Sequence, residues 1–186
     1  MRLAFSFRCL LAALVVLLSA SGLWAQSRPK ATTVYIVRHA EKDLTPGLPD
    51  PALTPAGEQR ARALQKKLRR RPVAAIFTTD TKRTRTTVAP LAATLNLTPR
   101  VYDARQLPAL AARIRTEYAG KTVVVIGHSN TILETAEALG APRPVPTVAD
   151  AEYSYLLEVK LAPTGTATAK ARQYGAASGS AAPKPQ

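Results

Sequence analysis

Apolar, β-branched residues are concentrated in three short runs, at residues 33–38, 73–78 and 122–127. Runs of this length and composition are typical of buried strands in a parallel sheet. The segments between these runs, and the segment after the last run, have apolar residues at helical spacing. We predict helices at 55–70, 81–95, 108–118 and 130–139, a short strand at 100–102, and a hairpin of strands at 153–161 and 166–173. This alternation predicts a three-layer α/β/α sandwich with a mainly parallel central sheet.

Local signals mark several of the helix boundaries. Thr54 followed by Pro55 is a favourable helix start, with the threonine as N-cap and the proline in the first turn. Pro72 ends the first helix, and Gly140 follows the last one. Pro90 lies inside the second helix, where we expect it to cause a kink or to mark a late start.

Polar side chains that can take part in binding or catalysis lie just after the predicted strands. Arg38 and His39 follow the first strand, Arg83 begins the helix after the second, and His128 follows the strand at 122–127. The chain has only two histidines, and both occupy this kind of position. The carboxyl ends of parallel strands meet at one edge of a sheet, so we expect these four side chains to converge there.

Two guanidinium groups and the amino end of a helix form a binding place for a phosphoryl group. A neutral imidazole at such a place can attack phosphorus and carry it as phosphohistidine. A second imidazole can stabilise the charge on the transferring group. The histidines have no third histidine or carboxylate cluster at a recognisable spacing, so we predict no metal site and no cofactor.

The amino-terminal 25 residues have the pattern of a signal peptide. Arg2 and Arg8 precede an apolar run at residues 9–18 that is too short for a comfortable membrane span, and small residues lead to a cleavage point after Ala25. An uncleaved anchor is the alternative. The only cysteine, Cys9, lies in this segment. We predict an exported protein, periplasmic or secreted, with a single domain at 26–175, a disordered tail at 176–186 and no stable membrane insertion after cleavage.

The formal net charge of +14 favours anionic partners. The densest basic cluster, at residues 66–71, has no aromatic residues among its cations. A nucleic-acid stacking surface is therefore not predicted. The partner that the charge and the strand-end residues favour is a phosphorylated small molecule or a phosphoprotein. The oligomeric state has no sequence signal.

Four motifs in order resemble the histidine phosphatase superfamily, which includes phosphoglycerate mutases and many phosphatases. They are RHAEK at 38–42, LTPAG at 53–57, TDTKRT at 79–84 and GHSN at 127–130. The resemblance extends from residue 33 to residue 175. It implies a phosphoglycerate mutase-like fold and metal-independent phosphotransfer. It also implies that His39 is the phosphorylated nucleophile, and that Arg38, Arg83 and His128 complete the phosphate pocket.

Two departures of this sequence from the family pattern bear on the chemistry. The family usually has glycine after the nucleophile, whereas here Ala40 follows, as in a smaller RHA subset. Larger members place a glutamate, which protonates the leaving oxygen, between the second arginine and the second histidine. Our first candidate in that interval is Asp103. The alternatives are Glu117, which lies in the same interval, Glu41 and Glu152.

Three functions remain open from the sequence. The first is a phosphatase acting on small phosphomonoesters or phosphoprotein groups. The second is a phosphoglycerate mutase-type phosphotransferase, which needs a closed site; the short loop at 43–51 and the leader disfavour it. The third is a catalytically weak anion-binding module. A site that lacks a dedicated acid would favour good leaving groups, such as phosphohistidine, phosphoanhydrides or aryl phosphates.

Overall fold

The computed structural model describes residues 29–178 of the protein. The predicted leader at 1–25 and the final residues 179–186 lie outside this part. None of the helices described there is long and apolar enough to cross a membrane. The strands are β1 Thr32–Arg38, β2 Val73–Thr78, β3 Arg100–Val101, β4 Thr122–Gly127, β5 Tyr155–Leu161 and β6 Ala167–Gln173. The helices are α1 Pro55–Leu68, α2 Lys82–Leu95, α3 Leu107–Glu117 and α4 Ile132–Ala138.

The strands form one six-stranded sheet in the order β3-β2-β4-β1-β5-β6. The first four strands in that order are mutually parallel. The β5–β6 hairpin extends the sheet antiparallel to β1. The order places β1 and β4 side by side at the centre, so the segments that follow these two strands emerge as neighbours. The predicted fold class is confirmed.

Each face of the sheet is covered by helices. Alternate residues of the central strands point to opposite faces, so Val34 and Ile36 pack with Leu110 and Ile114 of α3 and with the buried side of α4. On the other face, Tyr35 and Val37 pack with buried leucines and valines of α1 and α2. The two buried clusters are the two inner layers of the sandwich, and they make the sheet a rigid base for its carboxyl edge.

The start of α1 is attached directly to the segment after β1. Thr54 is the N-cap, as predicted, and its hydroxyl accepts a hydrogen bond from the Gly57 amide at 3.2 Å. The Thr54 amide donates to the Glu41 carbonyl at 2.9 Å. A Cβ on Gly57 would overlap that same carbonyl oxygen, so only glycine permits this approach. The LTPAG motif therefore holds the segment that follows His39.

Helix α2 continues through Pro90 to Leu95 and begins at Lys82. Pro90 therefore does not mark a late start of this helix. The first turn of α2 carries Arg83, and Thr87 one turn later accepts a hydrogen bond from the Ala40 amide at 2.9 Å. Helices α1 and α2 both fasten the segment after β1 from the same side of the sheet.

Candidate active site

The two histidines lie side by side at the carboxyl edge of the central strands. Arg38 is the register partner of Gly127, and the His39 amide donates to the Gly127 carbonyl at 2.9 Å. The His39 and His128 ring centroids are 5.4 Å apart, with the ring planes at 63°. The pairing of β1 with β4 therefore brings together two residues that are far apart along the chain.

The His39 ring is fixed by one hydrogen bond. Its Nδ1 lies 2.8 Å from the Ala40 carbonyl oxygen. A carbonyl only accepts, so Nδ1 must carry the proton. In a neutral imidazole, the lone pair then resides on Nε2. The hydrogen bond thus leaves Nε2 of His39 unprotonated. Ala40 has a negative φ, because Asn96 is the one non-glycine residue at 29–178 with a positive φ. The alanine in place of glycine therefore adds no backbone strain here.

Burial keeps both imidazoles neutral. Desolvation is the main cause that lowers the pKa of His39 to about 3; the charge of Arg38 adds to it, and the bond to Ala40 opposes it. Desolvation also lowers the pKa of His128 to about 4, helped by Arg83 and Arg38. A neutral imidazole retains the lone pair that attack on phosphorus requires.

These lowered pKa values predict the titration of the free protein. The neutral form of each ring is retained as pH falls through the ordinary histidine value, and each ring protonates only near pH 4 or below. We expect neither ring's Cε1–H resonance to shift between about pH 5 and 8. Proton NMR of the untagged protein checks this, since the chain supplies only two such signals. A midpoint near the ordinary value for either ring would contradict the prediction.

Arg38 is nearly buried, with 4% of its surface exposed. Its Nη1 donates to the carbonyls of Ala149, Asp150 and Glu152, at 3.0, 2.9 and 3.0 Å. Its guanidinium carbon lies 4.0 Å from the centroid of the Tyr153 ring, a cation–π contact. Burial lowers the pKa of Arg38, but a guanidinium stays protonated at physiological pH. Arg38 therefore holds the loop at 149–153 against the site.

Arg83 and His128 are connected to each other. The Arg83 guanidinium lies 3.5 Å from His128 Nδ1, and His128 Nε2 lies 2.9 Å from the Thr79 hydroxyl. Asp50 also contacts Arg83, because its Oδ1 lies 3.4 Å from the Arg83 guanidinium. Its Oδ2 accepts a hydrogen bond from the Lys82 amide at 2.8 Å. Asp50 thus binds the amino end of α2, which the sequence suggested for phosphate.

Four predicted site residues line one open cleft of about 390 Å³, which we call the histidine cleft. Its lining residues are Arg38, His39, Lys42, Arg83, His128, Ser129, Asn130 and Asp150. The Nε–H groups of Arg38 and Arg83 are buried and have no acceptor within residues 29–178. Buried donors normally have partners. The lining of the cleft therefore includes two guanidinium groups, each with one N–H that has no acceptor within residues 29–178.

Asp103 lies in a different cleft, which it shares with His128. Arg105 donates to its carboxylate through the backbone amide at 2.9 Å, through Nε at 3.2 Å and through Nη2 at 3.1 Å. These bonds lower the pKa of Asp103. Asp103 is therefore held in the ionised form, which has no proton to donate, and the role of proton donor stays a prediction that this environment disfavours.

The other three carboxylates are also engaged. Glu41 is bound by the Arg60 guanidinium at 2.7 Å. Glu152 accepts from the Ala149 amide at 2.6 Å. Glu117, at the end of α3, accepts from Arg113 at 3.1 Å. Across residues 29–178, no group of three or more histidine, cysteine or acidic side chains is arranged to hold a metal ion.

The sequence analysis missed two residues at this site. Tyr153 stacks on Arg38, and its ring centroid lies 6.0 Å from that of His39. Asp150 lines the histidine cleft from the same loop. In the sequence, Asp150 only precedes the strand predicted at 153–161 and Tyr153 only begins it. The contact of this loop with Arg38 spans more than a hundred residues.

Comparisons with known proteins come from three directions. Residues 34–105 match the model of the histidine phosphatase superfamily, branch 1. A comparison with curated proteins finds no match. Among solved structures, a mycobacterial glucosyl-3-phosphoglycerate phosphatase is similar, with 15% identity and a TM-score of 0.63 over 80% of this chain and 100% of its own.

Two further structures share this fold. A candidate phosphohistidine phosphatase, SixA, from Nakamurella multipartitia has 23% identity and a TM-score of 0.56, over 80% of this chain and 98% of its own. A candidate α-ribazole-5′-P phosphatase from Escherichia coli has 12% identity and a TM-score of 0.56, over 79% and 97%. The family match covers three of the four motifs completely, and GHSN at 127–130 lies outside it. Residues 34–105 are thus similar to the histidine phosphatase superfamily, and the fold of most of the chain is similar to that of these solved structures.

Proposed function

We propose that this protein is a phosphatase that works through a phosphohistidine on His39. The observation that carries the proposal is the orientation of the His39 ring. Its Nδ1–H donates to the Ala40 carbonyl, so the Nε2 lone pair is free for attack. The pKa of about 3 keeps that lone pair available at neutral pH.

The neighbouring groups suit the charge of a phosphoryl group. Arg38 and Arg83 line the histidine cleft, where charge on the transferring oxygens must be met. His128 lines the same cleft, and the Thr79 hydroxyl orients its ring. In the first step Nε2 of His39 bonds to phosphorus as the bond to the leaving oxygen breaks. Water then attacks phosphorus, and the N–P bond breaks to release phosphate.

The phosphorylated ring keeps its proton on Nδ1 and so carries a positive charge. The Ala40 carbonyl accepts from that N–H and stabilises the charge. The similar solved structures include enzymes named as phosphatases, which supports hydrolysis over transfer back to the substrate. We propose phosphomonoesters or phosphoprotein groups as substrates. We also propose that the protein is exported, on the leader sequence alone. The RHA sequence at 38–40 is the basis for proposing a small RHA-type member.

The test is hydrolysis of p-nitrophenyl phosphate by the full mature chain in the presence of EDTA. We expect phosphate release that EDTA does not reduce, because both charge stabilisation and attack are supplied by side chains. Released phosphate is compared with phosphoryl transfer to added phosphoglycerate. Dependence on a divalent ion would overturn the mechanism. Transfer faster than release would favour a phosphotransferase.

A further inference from the structure

A second and larger cleft opens beside the histidine cleft. It has a volume of about 770 Å³, and we call it the outer cleft. Its lining residues are Arg38, Glu41, Lys42, Leu44, Asp150, Ala151, Tyr153, Ala177 and Ser178. Three residues, Arg38, Lys42 and Asp150, line both clefts. A phosphate ester with its phosphoryl group beside His39 and its organic part in the outer cleft has its bridging oxygen at this shared boundary.

Asp150 is the acidic residue at that boundary. Of the carboxylic acids at 29–178, it alone lines the histidine cleft. It is exposed, and no hydrogen bond to its carboxylate is found within the described part of the chain. Its backbone is held in place, because its own carbonyl and those of Ala149 and Glu152 accept from Arg38 Nη1. The Asp150 side chain is thus exposed, on a fixed backbone, at the lining of the histidine cleft.

The other acids near the site are each bound to a cation or an amide. Asp103 is held by Arg105, Glu41 by Arg60, and Asp50 by the Lys82 amide and Arg83. Ion pairing and charge-assisted hydrogen bonds favour the ionised form of a carboxyl group. A general acid must instead carry a proton when the bond to the leaving group breaks. Asp150 is the acid at this boundary whose carboxylate forms no such direct bond within residues 29–178, although Arg38 lies close enough to interact with its charge.

We infer that the Asp150 carboxyl donates the proton to the leaving oxygen, that the outer cleft holds the leaving group, and that the substrates are phosphate esters of alcohols. This inference rests on the proposed phosphatase function. In the first step Nε2 of His39 bonds to phosphorus, the P–O electron pair passes to the leaving oxygen, and that oxygen takes the Asp150 proton. In the second step the Asp150 carboxylate takes a proton from water as the water oxygen attacks phosphorus. The N–P pair then returns to Nε2.

An acid at this position changes the class of substrate. An alkoxide is a poor leaving group and needs the proton, whereas p-nitrophenolate, phosphohistidine and phosphoanhydrides leave without it. The outer cleft also suits an organic alcohol, because Leu44, Ala151 and Tyr153 line it with apolar surface. Leu44 is 74% exposed and lies at its rim. Alkyl phosphomonoesters are therefore the substrates that use both features.

The experiment compares benzyl phosphate, an alkyl ester, with p-nitrophenyl phosphate in the wild type and in Asp150→Asn. We expect kcat/KM for benzyl phosphate to fall about 10²- to 10³-fold, and that for p-nitrophenyl phosphate to fall less than about tenfold. Asp150→Glu should restore part of the benzyl activity. Asp103→Asn is the rival variant. Glu58→Gln, an exposed acid on α1, is the matched control and should leave both rates unchanged.

Each outcome separates this inference from the proposed function. Equal losses on both substrates, or no loss on either, would overturn the role of Asp150, as would a selective loss in Asp103→Asn. Phosphohistidine formed from p-nitrophenyl phosphate in the wild type tests the proposed function by itself. If Asp150→Asn did not fold, the leaving-group dependence of the wild-type enzyme would still show whether a general acid takes part. A steep dependence of kcat/KM on leaving-group pKa across aryl and alkyl phosphates means no acid, and a shallow one supports the acid.

Discussion

Replacing His39 by alanine is expected to abolish phosphatase activity and the phosphoenzyme together. The substitution removes the Nε2 lone pair, the one nucleophile that the Ala40 hydrogen bond orients at the cleft. Loss of a covalent nucleophile typically costs about 10⁴- to 10⁶-fold in kcat. The measurement is the initial rate on p-nitrophenyl phosphate, with mass spectrometry after a denaturant quench at neutral to alkaline pH to detect the acid-labile phosphoryl group on the histidine.

The matched comparison is His128→Asn, because the chain has only these two histidines. His128 lines the cleft, and its ring already contacts Thr79 and Arg83. We assign it charge stabilisation, so its loss should slow the reaction about 10²- to 10³-fold while the phosphoenzyme still forms on His39. A phosphoenzyme formed by His39→Ala would contradict the assignment. So would the absence of a phosphoenzyme in His128→Asn when the wild type is labelled. Circular dichroism confirms that each variant folds.

Replacing Arg60 by alanine is expected to cause a large loss of folding free energy. Arg60 on α1 is 4% exposed and makes a two-pronged ion pair with Glu41, with Nε at 2.9 Å and Nη2 at 2.7 Å. It also donates to the Tyr174 and Ala176 carbonyls, both at 3.0 Å. The substitution leaves the Glu41 carboxylate without its partner, which costs about 3–5 kcal/mol when such a pair is largely buried. Urea unfolding followed by circular dichroism measures it.

Arg62→Ala is the control for Arg60→Ala. It lies on the same helix, and its pair with Glu58 at 3.9 Å is exposed on both sides. Its loss should change the free energy of unfolding by less than about 0.5 kcal/mol. Similar values for the two variants would mean that the buried pair does not stabilise the segment after His39. The double variant Glu41→Gln with Arg60→Ala should recover part of the loss, because the unpaired charge is then gone.

The fold could be predicted because its signals are local. The apolar runs that became β1, β2 and β4 are β-branched and short, and strands of this kind are buried on both faces. Thr54 and Pro55 predicted the start of α1, because helix capping involves neighbouring residues only. The order of the strands carries no such local signal. The position of β5 beside β1 is decided by packing over long distances.

The candidate site was predictable in part for the same reason. Arg38, His39 and His128 directly follow strands, so strand adjacency brings them to one edge. Asp103 was selected from its interval in the chain, and its pairing with Arg105 became evident in the structure. Asp150 and Tyr153 were not selected, because their approach to Arg38 depends on how the segment after α4 returns to β5.

The sequence by itself determined which side chains stand at the ends of the strands: two imidazoles and two guanidiniums, with the apolar runs that bury the strands before them. Only the tertiary structure decided which carboxyl group lies at the cleft and which carboxyl groups are held by arginines. Strand formation depends on side chains close together in the chain. Ion pairs such as Arg60 with Glu41, and the loop held by Arg38, depend instead on separations of 19 residues and of 111 or more, which no local pattern encodes.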